Sequence, residues 1–216
     1  MVRNKNLLWL SFLILFLAIF NGYLFNHKNN STRSATADLN NRNLSLLLNS
    51  GLIDNCDAEI KYLIWTEDSG ELPQLEKKLK DMNLEWKKQV LTDFSQNRAY
   101  KYIAVMNINS SQGERKALQN YWALTDALAQ QKVKVYLEER VNSHLDPEQF
   151  FKKNTLFAQE KIYFPGGISY SGWKPDYLNF RPGGFELLTV QLIVKKNPLE
   201  GGEKAVLALP ALLEEF

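Results

Sequence analysis

The chain has 216 residues, with 26 Lys+Arg against 24 Asp+Glu, a formal net charge of +2, two histidines and one cysteine. A single cysteine excludes an intrachain disulfide, and so few His and Cys exclude a zinc site built from them. The near balance of charge excludes the strongly basic surface of a general nucleic-acid binder.

Residues Leu7–Phe25 carry no charge, and only Ser11, Asn21 and Gly22 interrupt the apolar run. Nineteen residues at about 1.5 Å each span about 28 Å, the thickness of a bilayer's hydrocarbon core. A helix is the expected form, because it satisfies its own backbone amides in lipid. Arg3 and Lys5 precede the run, and Lys28 and Arg33 follow it, so local charge does not set orientation. A short N-terminus before a long C-terminal domain favours export of that domain. Ala35-Thr36-Ala37 suits a signal peptidase, with cleavage near Ala37, but it lies far beyond Phe25. The apolar core is also longer than the usual signal peptide's, so an uncleaved single-pass anchor is the favoured reading. Residues 1–37 contain four of the cations and no acid, leaving 22 Lys+Arg against 24 Asp+Glu. The exported part is therefore slightly acidic, which gives it no general attraction for nucleic acid or anionic lipid.

Residues 26–53 read as a stalk. Asn, Ser and Thr dominate 26–43, and Leu44–Ile53 forms a short first helix ending at Gly51. The folded domain is expected over residues 54–216. Glu59–Glu67 reads as a strand. Leu72, Leu75, Leu79 and Met82 form one helical stripe, with Lys77, Lys78 and Lys80 on the wet side. Trp86–Phe94 and Tyr100–Ile108 follow as a hairpin, its turn at Ser95–Arg98. Ser110 or Ser111 caps a helix whose stripe is Leu118, Tyr121, Trp122, Thr125, Leu128 and Ala129. Val133–Val141 alternates as a strand. Asp146-Pro147 opens a helix carrying Phe150, Phe151 and Phe157. Three strands close the chain, over Ile162–Tyr170, Phe185–Lys195 and Ala205–Phe216. The expected fold is α+β, a curved antiparallel sheet with helices on one face. The order β-α-β-β, then α-β-α-β-β-β, suggests a pseudo-duplicated unit.

The end of the chain resembles a known group. Leu187–Leu192, Gly201-Gly202-Glu203-Lys204 and Leu209–Phe216 follow an apolar strand, a Gly-containing turn and a last strand with Pro210 and a closing Glu215-Phe216. This pattern is similar to that of the YwmB family of sporulating Gram-positive bacteria. Ile168–Ser171 is similar to the strand before that family's variable loop. Ala208-Leu209 departs from the Gly-Thr that usually precedes the proline. The resemblance implies a TATA-box-binding-protein-like fold from about residue 59 to the end. It implies no catalytic, cofactor or metal residue, since the family's biochemical role is unsettled. The fold name does not carry DNA binding to an acidic, exported domain.

Catalysis needs a nucleophile beside a base. His144, in Asn142–Asp146, reads as a solvated turn residue, and Cys56 as a small buried one. Glu138-Glu139 and Glu214-Glu215 are adjacent in strands, so each pair points to opposite faces. The Gly-rich stretches lack phosphate-loop spacing and read as turns. Residues Ser169–Tyr177 place Tyr170, Trp173 and Tyr177 in a Gly/Pro-containing stretch that reads as an aromatic recognition loop. The sequence thus points to a non-enzymatic, membrane-tethered binding or regulatory domain of the cell envelope, sporulation-related through the resemblance. Its partner is expected to be an envelope protein or glycan, with no cofactor and no nucleic acid. The alternatives are a hydrolase of cell-wall glycan, or an accessory protein of cell division or of a sensor kinase.

Overall fold

The structure, a computed structural model, describes residues 44–67, 72–92, 98–181, 184–197 and 201–210, with backbone alone at 175–181, 184–187 and 197. The expected anchor Leu7–Phe25, the Ala35–Ala37 site, residues 26–43 of the stalk, the Ser95–Asn97 turn and Glu214-Glu215 lie outside the described residues. Within those residues no helix is long and apolar enough to cross a membrane.

The domain is α+β, as expected. Its strands are β1 (Ala58–Thr66), β2 (Lys87–Thr92), β3 (Arg98–Ile108), β4 (Val133–Val141), β5 (Phe157–Phe164), β6 (Gly167–Arg181), β7 (Gly184–Asn197) and β8 (Gly202–Leu209). They form one sheet in the order β2-β3-β1-β4-β8-β7-β6-β5, and every pairing is antiparallel. Among the described residues three α-helices accompany it: α1 (Leu72–Lys80), α2 (Ser111–Ala127) and α3 (Pro147–Lys153).

Local sequence explains the helix starts. Ser110 is extended, and its hydroxyl accepts from the Gly113 N–H at 3.1 Å, which opens α2. Asp146 does the same for α3, accepting from Glu148 and Gln149 N–H at 2.9 and 3.2 Å, with Pro147 at the first helical position. The α3 helix then stops at Lys153 because Asn154 closes it and Thr155 adopts φ 52°. Phe157, expected on that helix, begins β5 instead.

Side-chain alternation gives the sheet two different faces. One carries Ile60, Tyr62 and Ile64 of β1, Leu137 and Glu139 of β4, Leu207 of β8 and Leu192 of β7, all buried. The helices and residues 44–48 pack here. The Tyr62 hydroxyl donates to the Ala117 carbonyl of α2 at 2.9 Å, and burial pushes that phenol above its ordinary range. The other face carries Glu59, Lys61, Leu63 and Trp65 with their cross-strand partners. Edge strands β2 and β5 are exposed along nearly their whole length.

Two stretches repeat one element order. Strand β1, helix α1 and hairpin β2-β3 are followed, after α2, by strand β4, helix α3 and hairpin β5-β6. In the first, Glu76 of α1 takes Lys88 Nζ at 2.7 Å and the Tyr102 hydroxyl at 2.9 Å. In the second, Glu148 of α3 takes Lys161 Nζ at 2.9 Å and the Tyr170 hydroxyl at 3.0 Å. Lys88 and Tyr102 are direct cross-strand partners, and so are Lys161 and Tyr170. The β7-β8 hairpin lies between β4 and β6, whereas β1 pairs directly with β3.

Three further expectations change. The strand expected over Ile162–Tyr170 is a hairpin, turned at Pro165-Gly166, where Gly166 has φ 83°. The region expected to be a loop, Ser169–Tyr177, lies within β6. Residues 44–53, expected to close the stalk, belong to the folded unit, which begins at Leu44. Their helix is a 3-10 turn at Leu48–Ser50 ending on Gly51 at φ 62°, and Leu44, Leu46, Leu47 and Leu48 lie in the core.

Candidate functional site

Strands β1, β3, β4 and β8 bring polar residues to one end of the sheet, on the face without helices among the described residues. The register sets Glu59 opposite both Asn107 and Arg140, and Lys195 opposite Lys204. Asp57 and Asn55 precede β1, Asn109 follows β3 and Asn142 follows β4. With Glu59, Asn107, Arg140 and Lys204 they line a cleft of about 630 Å³, in which only Ala58 and Ile108 are apolar. Ligand sites commonly span about 300–1,000 Å³.

The cleft is organised by its own bonds. Asn55 donates from its amide to the Asn142 carbonyl at 3.2 Å, and its amide oxygen accepts from the Asp57 N–H at 3.0 Å. Arg140 lies 3.8 Å from Glu59 and also contacts Glu138 through Nε. Burial lowers the Lys195 ammonium below its ordinary range, helped by the positive charges of Lys204 and Arg140. Acids thus enter from the β1 side and bases from β4 and β8. Four asparagines supply both donors and acceptors between them. Such a lining can hold a polar ligand by hydrogen bonds and can orient one that carries both charges.

The three aromatic residues expected to form one recognition surface do not share a face. The Tyr170 ring is buried on the helix side, 5.8 Å from Phe151, with its hydroxyl on Glu148. Trp173 lies on the opposite face, stacked on Phe157 with centroids 5.2 Å apart and planes at 17°. Residues three apart in a strand point opposite ways, so Tyr170 and Trp173 cannot meet one ligand. Tyr177 continues β6, and its side chain lies outside the described residues.

Other candidates resolve simply. His144 is exposed and pairs with Glu203 at 2.6 Å, as its turn position implied. Cys56 is exposed rather than buried, because it lies in the irregular stretch before β1. No group of three His, Cys, Asp or Glu among the described residues could hold a metal ion.

Sequence reasoning missed a pair of acids. Glu138 and Glu139 point to opposite faces as expected, but Glu139 meets Glu114 of α2 beneath residues 44–51. Glu114 is 1% and Glu139 0% exposed. Glu139 Oε2 accepts from Leu47 N–H at 2.6 Å. Glu114 accepts from Leu48 N–H at 2.5 Å and from Asn49 N–H at 3.0 and 3.1 Å. Burial holds the Glu139 carboxyl well above the usual carboxylate range, and the neighbouring Glu114 adds to this. A signal was present. Glu139 shares the inward parity of Leu137 and Val141, and Glu114 lies on the α2 stripe of Ala117, Tyr121 and Leu124.

No protein-family model matches the chain, and no curated protein is significantly similar to it.

Proposed function

We propose that this chain is a membrane-tethered, extracytoplasmic binding domain of the bacterial cell envelope that takes a polar ligand in the cleft between Asp57 and Lys204. The observation that supports binding best is the cleft itself, with its asparagines and opposed charges at the end of the central strands. Glu139, the acid that burial perturbs, is by contrast sealed with Glu114 beneath residues 44–51 and cannot reach a substrate. Tethering is inferred from the apolar run Leu7–Phe25 and the acidic balance of the remainder. The repeated β-α-β-β order with its two Glu-Lys-Tyr clusters supports an internally duplicated architecture. A TATA-box-binding-protein-like fold is what the resemblance to the YwmB family implies, and the sporulation link rests on that resemblance alone.

A second reading, hydrolysis of cell-wall glycan, has one observation in its favour: Asp57 and Glu59 lie on one wall of the cleft. Glu59 is set against Arg140 across the strands, which fits a structural pair better than a proton donor.

The experiment is a photo-crosslinker at Asn107 in cells, with a reporter fused to the C-terminus. An exported reporter and a discrete envelope partner, lost in Asp57→Asn/Lys204→Gln, are the expected result. Identification of the partner also separates the cell-division and sensor-kinase variants of this reading. A reporter active only in the cytosol, or glycan turnover by the purified protein that Glu59→Gln abolishes, sinks the binding reading.

A further inference from the structure

The chain between the N-terminal segment and β1 is seated on acids. Leu44, Leu46, Leu47 and Leu48 supply buried apolar area, which has no direction. Position is set by backbone donors: Leu47 N–H on Glu139, and Leu48 and Asn49 N–H on Glu114. Ser45 N–H adds a bond to Asn154 Oδ1 at 2.8 Å, and the Asn49 amide donates to the Ser111 carbonyl at 2.9 Å.

The two carboxyls are not equivalent. Both Glu114 oxygens accept hydrogen bonds from the strap, which suits an anion. Glu139 Oε2 takes the Leu47 N–H, with the Leu48 amide also close, whereas its buried Oε1 faces Glu114 and meets no backbone donor. An ionised oxygen in that position carries the full desolvation cost. The Leu47 and Leu48 amides offset the burial only in part, and among the described residues no positive charge faces Glu139. Glu114 approaches from α2, and apolar Ile60 and Leu207 flank it on β1 and β8. The strap brings only uncharged residues. On α3, Lys153 Nζ lies beside Gly51 at the far end of the strap. Lys174 of β6 donates to the Asn154 carbonyl and the Thr155 hydroxyl.

We propose that residues 44–51 are a pH-dependent latch, seated on a carboxylic acid–carboxylate pair and released when Glu139 ionises. Glu139 keeps its proton while the strap is docked and regains an ordinary carboxyl on release. The sign follows from that raised value. The stabilisation of docking by the proton is complete below the ordinary carboxylate range. It weakens by about tenfold per pH unit as pH rises, until the raised value is passed. Release frees the eight residues 44–51 from the sheet and α2. The latch depends on neither the cleft nor the membrane assignment.

The test is hydrogen exchange on the full chain, reading protection factors for the Leu47, Leu48 and Asn49 amides against Tyr62 of β1. Wild type is expected to lose at least about tenfold protection at the strap between about pH 5 and about pH 9, with Tyr62 unchanged. In Glu139→Gln, whose amide keeps the acceptor for Leu47 and supplies a permanent donor to Glu114, protection should stay flat. Glu114→Gln removes the like charge and should shrink the fall, which keeps the idea testable if the first variant fails to fold. Flat protection in wild type, an equal fall in either variant, or a parallel loss at Tyr62 overturns the latch.

Discussion

The two β-α-β-β stretches solve one problem with the same three residue types but differ in what surrounds them. In each, a helix carboxylate receives a lysine from the hairpin's outer strand and a tyrosine hydroxyl from its inner strand. In each, that lysine also lies over aromatic rings, Lys88 over Tyr100 and Tyr102, and Lys161 over Tyr163 and Tyr170. The inner strands then diverge. Two residues after Tyr102 stands Ala104, buried on the helix side, whereas two after Tyr170 stands Gly172. The second stretch has a bulge between Ala158 and Glu160, beside Gly172. That brings the β5 backbone and the Phe151 ring onto the glycine. The lesson is that the helix-to-hairpin cluster is the shared element, and the sheet around it is free to add a strand pair or a bulge.

The sharpest way to break the equivalence is at that glycine. A Cβ at Gly172 would lie 2.7 Å from Phe151 Cε1 and closer still to the Phe157 carbonyl oxygen. Backbone cannot swing aside as a side chain does. Gly172→Ala should therefore cost about 1–3 kcal/mol in urea unfolding. The reciprocal change, Ala104→Gly, should cost about 1 kcal/mol through backbone freedom alone. Equal effects at both positions would mean that the close approach of β5 is not real.

These details show where the sequence was readable. Helix caps at Ser110 and Asp146, the α2 stripe and the strand that becomes β1 follow from local chemistry, and all are found. Phe157 was misplaced because seven residues from Phe150 also fits a helix face. What overrides the spacing is Asn154 and Thr155, whose backbone ends the helix. At β5-β6 two readings compete: Pro165-Gly166-Gly167 reads as a turn, yet it is so short between apolar runs that one strand over Ile162–Tyr170 also fits, and the turn is what forms. Pro175 argued for a loop, yet it lies in β6 where the pairing with β7 shifts register between Trp173 and Leu178. The cleft was not legible, since it is assembled from four strand ends separated by up to about 150 residues. The Glu114–Glu139 pair was half legible: strand parity and the α2 stripe turn each acid inward, but only the fold brings the two together.

A weaker perturbation tests whether the clusters are equivalent. Tyr102→Phe and Tyr170→Phe each remove one hydroxyl from a glutamate and leave the ring's packing intact. Both should lower the urea midpoint by similar amounts, less than Gly172→Ala does, because the glutamates are solvated and recover water. A large effect at one position with none at the other would mean that the clusters are only superficially alike.

The smallest effect is an acid titration, and it runs opposite in sign to the latch. Lys88, then Tyr102, hold the Glu76 carboxyl below its ordinary range, and Lys161, then Tyr170, do the same for Glu148. A lowered folded value gives stability that is present above the ordinary glutamate range and is lost as pH falls through the lowered one. Both clusters are solvent-exposed, so the loss should be slight and should shrink further in salt. In urea midpoints followed from about pH 6 to about pH 2, Lys88→Met and Lys161→Met should each remove part of the acid-side slope. Their effects should add in the double variant, since the two clusters lie at opposite edges of the sheet and share no side chain. Non-additive slopes would mean that the two halves communicate through the sheet rather than repeat independently.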